Sequence, residues 1–190
     1  MAHMKLLPFN ETNVAVAAEI VKTGGVVIVP TETVYGVACH PDFPEALERI
    51  RKMKGRDRDK PFQLLASSVE AVWTDGAARS PAAEQAAANW PGALTLVLPT
   101  TKGHSEGYRV PDLPLLQRLI ALCGGLLRCT SVNLSGEPPA KDAREAAAVL
   151  GEAVDLVLDG GPARLGVAST VAALGADGSV TILRQGSVQV

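Results

Sequence analysis

Polar side chains that could bind a ligand follow short apolar runs at five places in this 190-residue sequence. Such runs are typical of strands in an α/β sheet, and residues at strand ends can line a shared crevice. For any single hydroxyl a turn or a helix cap is the favoured interpretation, but five such segments together favour a binding site. The residues concerned are Thr31, Glu32, Thr33, Arg109, Ser131, Asn133, Ser169, Thr170 and Arg184.

A dense basic cluster follows the first of these segments, with seven cationic and two acidic residues between Arg49 and Lys60. The formal net charge of the chain is −2, so the cluster is a local feature and not part of a general attraction to nucleic acid. Many Lys and Arg donors without an obvious nucleophile suit phosphoryl or nucleotidyl transfer. Lys54, Arg56 and Lys60 are the candidate contacts. Arg49 and Arg51 lie mid-helix and are interpreted as a solvated face.

Several common catalytic and metal sites have no support in the sequence. The glycine-rich dinucleotide motif and the P-loop are missing, as are the GxSxG and HExxH patterns. The three histidines are scattered and the three cysteines have no paired spacing. A reduced protein without a metal site built from its own side chains is therefore expected.

Strand-like runs alternate with helical stretches, which predicts an α/β fold with a mixed sheet. One domain spanning residues 1–190 is expected, with residues 1–4 interpreted as an expression scar. Neither a signal peptide nor an apolar run near the roughly 20 residues of a membrane span occurs, so a cytoplasmic protein is expected. Helices are predicted at 13–22, 44–53, from 75 or 80 to about 89, 115–122 and 142–150. Strands are predicted at 26–29, 62–66, 94–98, 126–129, 154–158 and 181–183, and a further strand region opens at 169–171. A short extended piece is predicted at 108–110, a turn at 31–36 and a polar loop at 100–107.

At these residues the sequence resembles the YrdC/Sua5 family of threonylcarbamoyl-AMP synthases. Seven segments match the family's motifs, in order and across nearly the whole chain. They are PTETVYG (30–36), KGR (54–56), WPGALTLVLP (90–99), YRVPDLP (108–114), TSVNLSG (130–136), STV (169–171) and ILRQG (182–186). The resemblance implies a single YrdC-like domain, in which a twisted mixed sheet and its helices surround a concave, positively charged cavity.

The resemblance also implies a reaction, in which L-threonine, bicarbonate and ATP give threonylcarbamoyl-adenylate and pyrophosphate. A carbamate formed on the threonine amine attacks the α-phosphorus of ATP, so no protein nucleophile is needed. The site must hold two anions close together, with Mg²⁺ bridging the phosphates. The product serves the threonylcarbamoyladenosine (t6A) modification of tRNA, which implies a downstream threonylcarbamoyl transferase machinery as partner.

The matching motifs imply a role for each candidate residue. The contacts implied for L-threonine are Thr33, Arg109, Ser131 and Ser169. The contacts implied for ATP are Arg56, Lys60, Ser105, Asn133 and Arg184. Lys54 and Arg56 are implied as the catalytic cations on the triphosphate, and the Arg109 guanidinium would pair with the threonine carboxylate.

The sequence departs from the family pattern at three places. Leu65 stands where many members carry a histidine, and Lys141 stands where a threonine or serine ligand is common. Val132 replaces the usual alanine, which is a mild change. These departures concern the fine assignment of the ATP pocket.

Two alternatives to the synthase are considered. One is a module that contacts tRNA or double-stranded RNA, because a concave cationic face can grip phosphates. The 4% of aromatic residues and the slightly acidic total argue against it. The other is a sibling of the same fold without synthase activity, or one that serves hydrogenase maturation, and the intact TSVNLSG and KGR motifs argue against it.

Overall fold

The computed structural model describes residues 5–190, so the interpretation of residues 1–4 as a scar lies outside the described range. The strands are β1 (Lys5–Pro8), β2 (Val27–Val29), β3 (Gly36–Cys39), β4 (Gln63–Ala66), β5 (Leu94–Pro99), β6 (Ser105–Arg109), β7 (Leu126–Ser131), β8 (Leu156–Asp159), β9 (Thr170–Leu174) and β10 (Val180–Arg184). The helices are α1 (Glu11–Lys22), α2 (Pro44–Lys54), α3 (Val69–Thr74), α4 (Pro81–Ala87), α5 (Pro114–Leu122) and α6 (Ala143–Leu150), with a 3₁₀ turn at Gly151–Ala153.

The strands form one mixed sheet in the order β1-β8-β2-β3-β7-β4-β6-β5-β9-β10. β2 and β8 pair in parallel, as do β4 with β6 and β5 with β9. β3 and β7 are antiparallel to each other and to their outer neighbours β2 and β4. The predicted α/β class with a mixed sheet is confirmed.

Strand β2 is buried on both faces, as its uniformly apolar sequence predicts. Val27 and Val29 pack in a core with residues of α1 and α5, whereas Val26 and Ile28 pack in a second core with residues of α2 and α6. Burying each of these side chains contributes about 1.5–3 kcal/mol. The strand is thereby fixed, and so is the start of the turn that follows it.

Helix α2 ends where the basic loop (residues 54–60) begins. Pro44 occupies its first turn, and Gly55 caps its end in the left-handed region at φ 61°. The carboxyl end of a helix favours cations, and Lys54 lies in the last turn. Helix α1, with 12 residues, is the longest in the described range, and no helix there is long and apolar enough to cross a membrane.

Four elements depart from the sequence prediction. β1, β3 and α3 were not predicted, and the predicted loop at 100–107 is wrong at its carboxyl end, where Ser105 begins β6. β6 is polar in sequence but pairs with β5 and β4, which supply its backbone hydrogen bonds. β3 lies centrally between β2 and β7, so its strand conformation depends on distant partners.

Candidate active site

A cavity of about 260 Å³ opens where strand ends and turns from across the sheet meet. Within the described range its lining contains three arginines and one acidic residue, Glu106. The predicted site residues that line it are Thr33, Arg56, Ser105, Arg109, Ser131, Ser169 and Arg184. The predicted site residues outside the lining are Lys54, Lys60 and Asn133.

Arg109, Glu32 and Thr33 form a buried group that we call the Arg109 corner. Arg109 is the last residue of β6 and only 2% exposed. Its Nη1 donates to Thr33 Oγ1 at 2.8 Å, its Nη2 donates to Glu32 Oε1, and its Nε donates to the Gly92 carbonyl at 3.3 Å. A buried ion pair is stable only with good geometry and further hydrogen bonds. The contacts of Arg109 meet this requirement, and they hold its guanidinium in one orientation.

Glu32 had no predicted role, although it stands in the first polar segment. It is 3% exposed and forms a salt bridge with Arg109. Its second oxygen, Oε2, is buried without a hydrogen-bond partner among residues 5–190. The position of Glu32 between two threonines at the end of a buried strand is the sequence signal that could have marked it as a site residue. Its partner Arg109 lies 77 residues away, so the ion pair itself has no local signal.

Thr31 holds the turn that presents Thr33. Its Oγ1 donates to the Val34 carbonyl at 2.6 Å and accepts from the backbone N–H groups of Thr33 and Val34 at 3.1 and 3.2 Å. Hydroxyl side chains that satisfy nearby backbone groups are typical of such turns. The cap-or-turn interpretation therefore applies to Thr31, and the turn aligns the Thr33 hydroxyl with Arg109.

Arg184 and Ser169 form a second arginine–hydroxyl pair. Arg184 ends the edge strand β10, and its Nε and Nη2 donate to the carbonyl and the Oγ of Ser169 at 2.9 and 3.1 Å. Burial, and then the charge of Arg109, lower the pKa of Arg184. A Cβ added at Gly186 would lie 2.5 Å from the Ala168 carbonyl oxygen. The segment after β10 can therefore pack this closely against Ala168 only with glycine at position 186.

Arg56 lies on the rim of the cavity and is held by the basic loop. Its Nη2 donates to the Pro61 carbonyl at 2.9 Å, and its Nε donates to the Lys60 carbonyl at 3.4 Å. The guanidinium lies 5.2 Å from the centre of the Phe62 ring, over which Arg51 also lies at 4.8 Å. Burial, and then the neighbouring Arg51, lower the pKa of Arg56.

Arg49 and Arg51, interpreted as a solvated helix face, lie outside the cavity lining and have partners within the chain. Arg49 donates from both terminal nitrogens to Asp155, at 2.8 and 3.2 Å. Arg51 Nη1 donates to the carbonyls of Arg58 and Lys60 at 3.2 and 3.3 Å. Arg51, on helix α2, therefore stabilises the basic loop.

Lys54 is buried behind the turn at residues 131–133 and does not reach the cavity lining. It is 2% exposed, and its Nζ donates to the Ser131 carbonyl, to the Asn133 carbonyl at 2.8 Å and to Asn133 Oδ1 at 2.9 Å. Burial, followed by the charge of Arg56, lowers its pKa to about 8. An ammonium has three protons, and these three acceptors use all of them.

Asn133 is likewise committed to this turn. Its Oδ1 accepts from Ser131 Oγ at 2.6 Å, and its Nδ2 donates to the carbonyls of Leu134 and Glu137, each at 2.9 Å. Asn133 therefore supports Ser131, which does line the cavity.

Three further residues from the sequence prediction lie away from the cavity lining. The Lys60 side chain is 55% exposed and pairs with Asp57 at 3.7 Å. Leu65 is fully buried in the core beside α5. Lys141 is exposed just before α6.

Glu106 and Arg128 were not predicted as site residues. Glu106 accepts from Arg128 Nη1 and Nη2 at 2.7 Å each, and His104 Nε2 lies 3.1 Å from the same carboxylate. Burial acts to raise the Glu106 pKa, but Arg128 and His104 outweigh it and the pKa is lowered. No local sequence pattern marks this pair, because the partners belong to different strands.

Comparisons with known proteins agree with the fold and the motifs. The family model Sua5_yciO_yrdC, described as "Telomere recombination", matches residues 19–186. The threonylcarbamoyl-AMP synthase of Bacillus subtilis is 34% identical over 193 residues, which is 96% of this chain and 56% of that protein. The threonylcarbamoyl-AMP synthase of Photobacterium profundum is 34% identical over 78% of this chain and 86% of its own length.

A solved structure shows the same architecture. The crystal structure of P. abyssi Sua5 complexed with L-threonine superposes with a TM-score of 0.86 at 31% identity. The match covers 96% of this chain and 56% of the P. abyssi protein. The chain therefore spans about half the length of two of the relatives it matches, and most of the length of the third.

Proposed function

The chain belongs to the Sua5/YciO/YrdC family, and from that membership and its cavity we propose that it is an L-threonylcarbamoyladenylate synthase. It would form threonylcarbamoyl-AMP and pyrophosphate from L-threonine, bicarbonate and ATP, which is a nucleotidyl transfer. The observation that carries the proposal is the convergence of Arg56, Arg109 and Arg184 on one cavity. Three guanidinium groups in one cavity suit a carboxylate and a triphosphate held side by side.

The chemistry needs no protein nucleophile. The threonine amine would add to carbon dioxide with loss of a proton, or to bicarbonate with loss of water, and give a carbamate. A carbamate oxygen would then form a bond to the α-phosphorus of ATP, while the bond from that phosphorus to the bridging oxygen breaks and pyrophosphate leaves. The protein would supply positioning and stabilise charge that develops on the phosphates.

The amino-acid half of the reaction would use the Arg109 corner and its neighbours. Arg109 would face the threonine carboxylate, while Thr33, Ser131 and Ser169 would contact the rest of the molecule. Arg109 is already oriented by Glu32 before any ligand arrives. A preoriented guanidinium loses little conformational freedom on binding, which favours affinity.

The nucleotide half would use the other two arginines. Arg56 would contact the phosphates from the rim, with Ser105 and Arg184 on the nucleotide side. Lys54 and Asn133 would act indirectly, because their contacts hold the turn that carries Ser131. Lys60 is exposed and would reach a phosphate only after leaving its ion pair with Asp57.

Mg²⁺ would enter with the triphosphate and would be held by phosphate oxygens and water. Glu106 is the acidic residue in the described lining, and Arg128 engages both of its oxygens. Among residues 5–190 there is no cluster of three His, Cys, Asp or Glu side chains that could hold a metal ion. The lining therefore does not fit a metal cage built from protein ligands.

RNA binding has less support as the main function, because acidic partners neutralise much of the basic cluster. Arg49 pairs with Asp155, Arg58 with Glu48 and Lys60 with Asp57. We place the synthase in the cytoplasm, where the three free cysteines would stay reduced. Its adenylate product would pass to a threonylcarbamoyl transferase machinery that acts on tRNA.

The test is release of pyrophosphate from ATP by the purified chain. The proposal predicts release that requires both L-threonine and bicarbonate, with D-threonine as the matched control that gives none. Release that ignores threonine, or no release together with salt-sensitive binding of duplex RNA, would contradict the proposal and favour the RNA-binding alternative.

A further inference from the structure

Two hydroxyl groups in the cavity share one hydrogen-bonding pattern. Thr33 Oγ1 and Ser169 Oγ each accept a hydrogen bond from an arginine, at 2.8 Å from Arg109 and 3.1 Å from Arg184. Each also lies 2.8 Å from the hydroxyl of a second threonine, Thr31 or Thr95. Thr31 and Thr33 lie in the turn after β2, whereas Thr95 lies on β5 and Ser169 directly precedes β9.

At Ser169 the direction of the hydrogen bond between the hydroxyls follows from the position of Gln63. Thr95 Oγ1 donates its single proton to Gln63 Oε1 at 2.8 Å. Thr95 therefore has no proton left for Ser169, and the bond between them must run from Ser169 to Thr95. Ser169 Oγ thus donates its proton to Thr95 and uses one lone pair to accept from Arg184. One lone pair of Ser169 Oγ remains for a ligand.

At Thr33 the direction of the bond is not fixed in this way. Thr31 Oγ1 donates its proton to the Val34 carbonyl at 2.6 Å, and both of its lone pairs already accept from the backbone N–H groups of Thr33 and Val34. Thr31 therefore does not determine which way the Thr33 proton points, and the pattern at Ser169 stands alone.

We propose that Gln63 and Thr95 are positioning residues that turn Ser169 into an obligate hydrogen-bond acceptor. Such a hydroxyl accepts from an amine or a hydroxyl, and it cannot donate to a carboxylate or a phosphate. Carboxylate and phosphate groups are thereby left to the arginines, and a donor group of the ligand is directed to Ser169. The ligand class that fits carries an amine or a hydroxyl beside its anionic group.

The identity of the ligand rests on the proposed function. L-threonine offers two donor groups, its amine and its side-chain hydroxyl, and either can supply the hydrogen bond that Ser169 accepts. A ligand without a donor at this position would leave the buried Ser169 oxygen unpaired, and an unpaired buried polar group is costly. Gln63 and Thr95 would thus contribute to substrate selection through Ser169 without touching the reacting atoms.

The experiment compares Thr95→Val with Thr95→Ser by calorimetric titration of L-threonine and, separately, of ATP. Valine has the shape of threonine but no hydroxyl, so Ser169 would regain a free proton and lose its fixed direction. We expect Thr95→Val to weaken L-threonine binding at least about tenfold, with ATP affinity and melting temperature close to wild type. Thr95→Ser keeps the hydroxyl that accepts from Ser169 and should bind L-threonine within about threefold of wild type.

A second variant keeps the inference testable if Thr95→Val does not fold. Gln63→Met removes the acceptor that fixes Thr95, so it should weaken L-threonine binding in the same sense while the Thr95–Ser169 contact persists. Wild-type L-threonine affinity in Thr95→Val, or in Gln63→Met where that variant is the one tested, would overturn the inference. So would equal loss in Thr95→Ser and Thr95→Val. If wild-type protein itself fails to bind L-threonine, the proposed function fails instead.

Discussion

The Arg109 corner and the basic loop flank the same cavity, but they are held in different ways. Arg109 is 2% exposed and has a buried acidic partner. The loop is stabilised by backbone carbonyls and by Arg51, and its Lys60 side chain is 55% exposed. The Arg109 corner is thus preorganised before a ligand binds. The basic loop, in contrast, keeps exposed positive charge that can still pair with a ligand.

This difference agrees with the chemistry of the two proposed substrates. A small amino acid offers few contacts, so its site must be preorganised to reach useful affinity. A triphosphate carries several charges and can be held by a more adaptable set of cations. Three predictions test the contrast, in order of decreasing effect.

The largest effect is expected for Arg109→Ala. It would abolish detectable L-threonine binding and leave the Glu32 carboxylate buried without a cation, at a cost of about 3–5 kcal/mol of unfolding free energy. Chemical denaturation and calorimetric titration measure the two effects. The matched control is the double variant Glu32→Gln, Arg109→Met, which should recover part of the stability but no L-threonine binding. If Arg109→Ala keeps wild-type stability, the corner is not the rigid half of the site.

A smaller and more selective effect is expected for Arg56→Ala. ATP binding should weaken about tenfold, because one charge-assisted contact is lost, while stability and L-threonine binding should stay near wild type. Lys60→Ala is the matched control, and its ATP affinity should change by less than about twofold because a salt-bridged surface lysine contributes little. Equal losses in the two variants would mean that the whole loop, and not Arg56, holds the nucleotide.

The smallest effect concerns Lys54 and depends on pH. Its pKa is lowered to about 8 from the ordinary 10.5, so between these values the folded state has released a proton that the unfolded state still binds. The cost of burying the ammonium is therefore fully present below about pH 8 and is relieved as the pH rises toward about 10. The unfolding free energy of wild type minus that of Lys54→Met should rise over this interval in chemical denaturation. A flat difference would mean that Lys54 titrates as an exposed lysine does.

The sequence predicts the parts of this fold that carry local signals. The apolar run of β2, the proline at the start of α2 and the glycine at its end all lie where the patterns indicate. β3 and β6 have no such signals. β6 carries Glu106, whose charge is compensated by Arg128 on β7. That compensation arises only once the sheet has formed, because β4 lies between the two strands.

The candidate site shows the same limit. The motifs point to the segments that converge on the cavity, but they do not separate lining residues from supporting ones. Lys54 stands in a basic run, so the sequence alone favours a phosphate contact for it. In the folded chain the turn at residues 131–133 accepts all three of its ammonium protons. Glu32 and Thr95 act through partners that are distant in sequence, so their roles emerge only from the folded chain.

The most direct test of a preformed amino-acid half is a titration of L-threonine in the absence of nucleotide. A preformed amino-acid half predicts measurable binding heat, with an affinity within about fivefold of that seen when a non-hydrolysable ATP analogue is present. Glu32→Gln should lose affinity under both conditions, because Arg109 would no longer be oriented. Binding of L-threonine that appears only after the ATP analogue is added would contradict a preformed half and would mean that the nucleotide assembles the site.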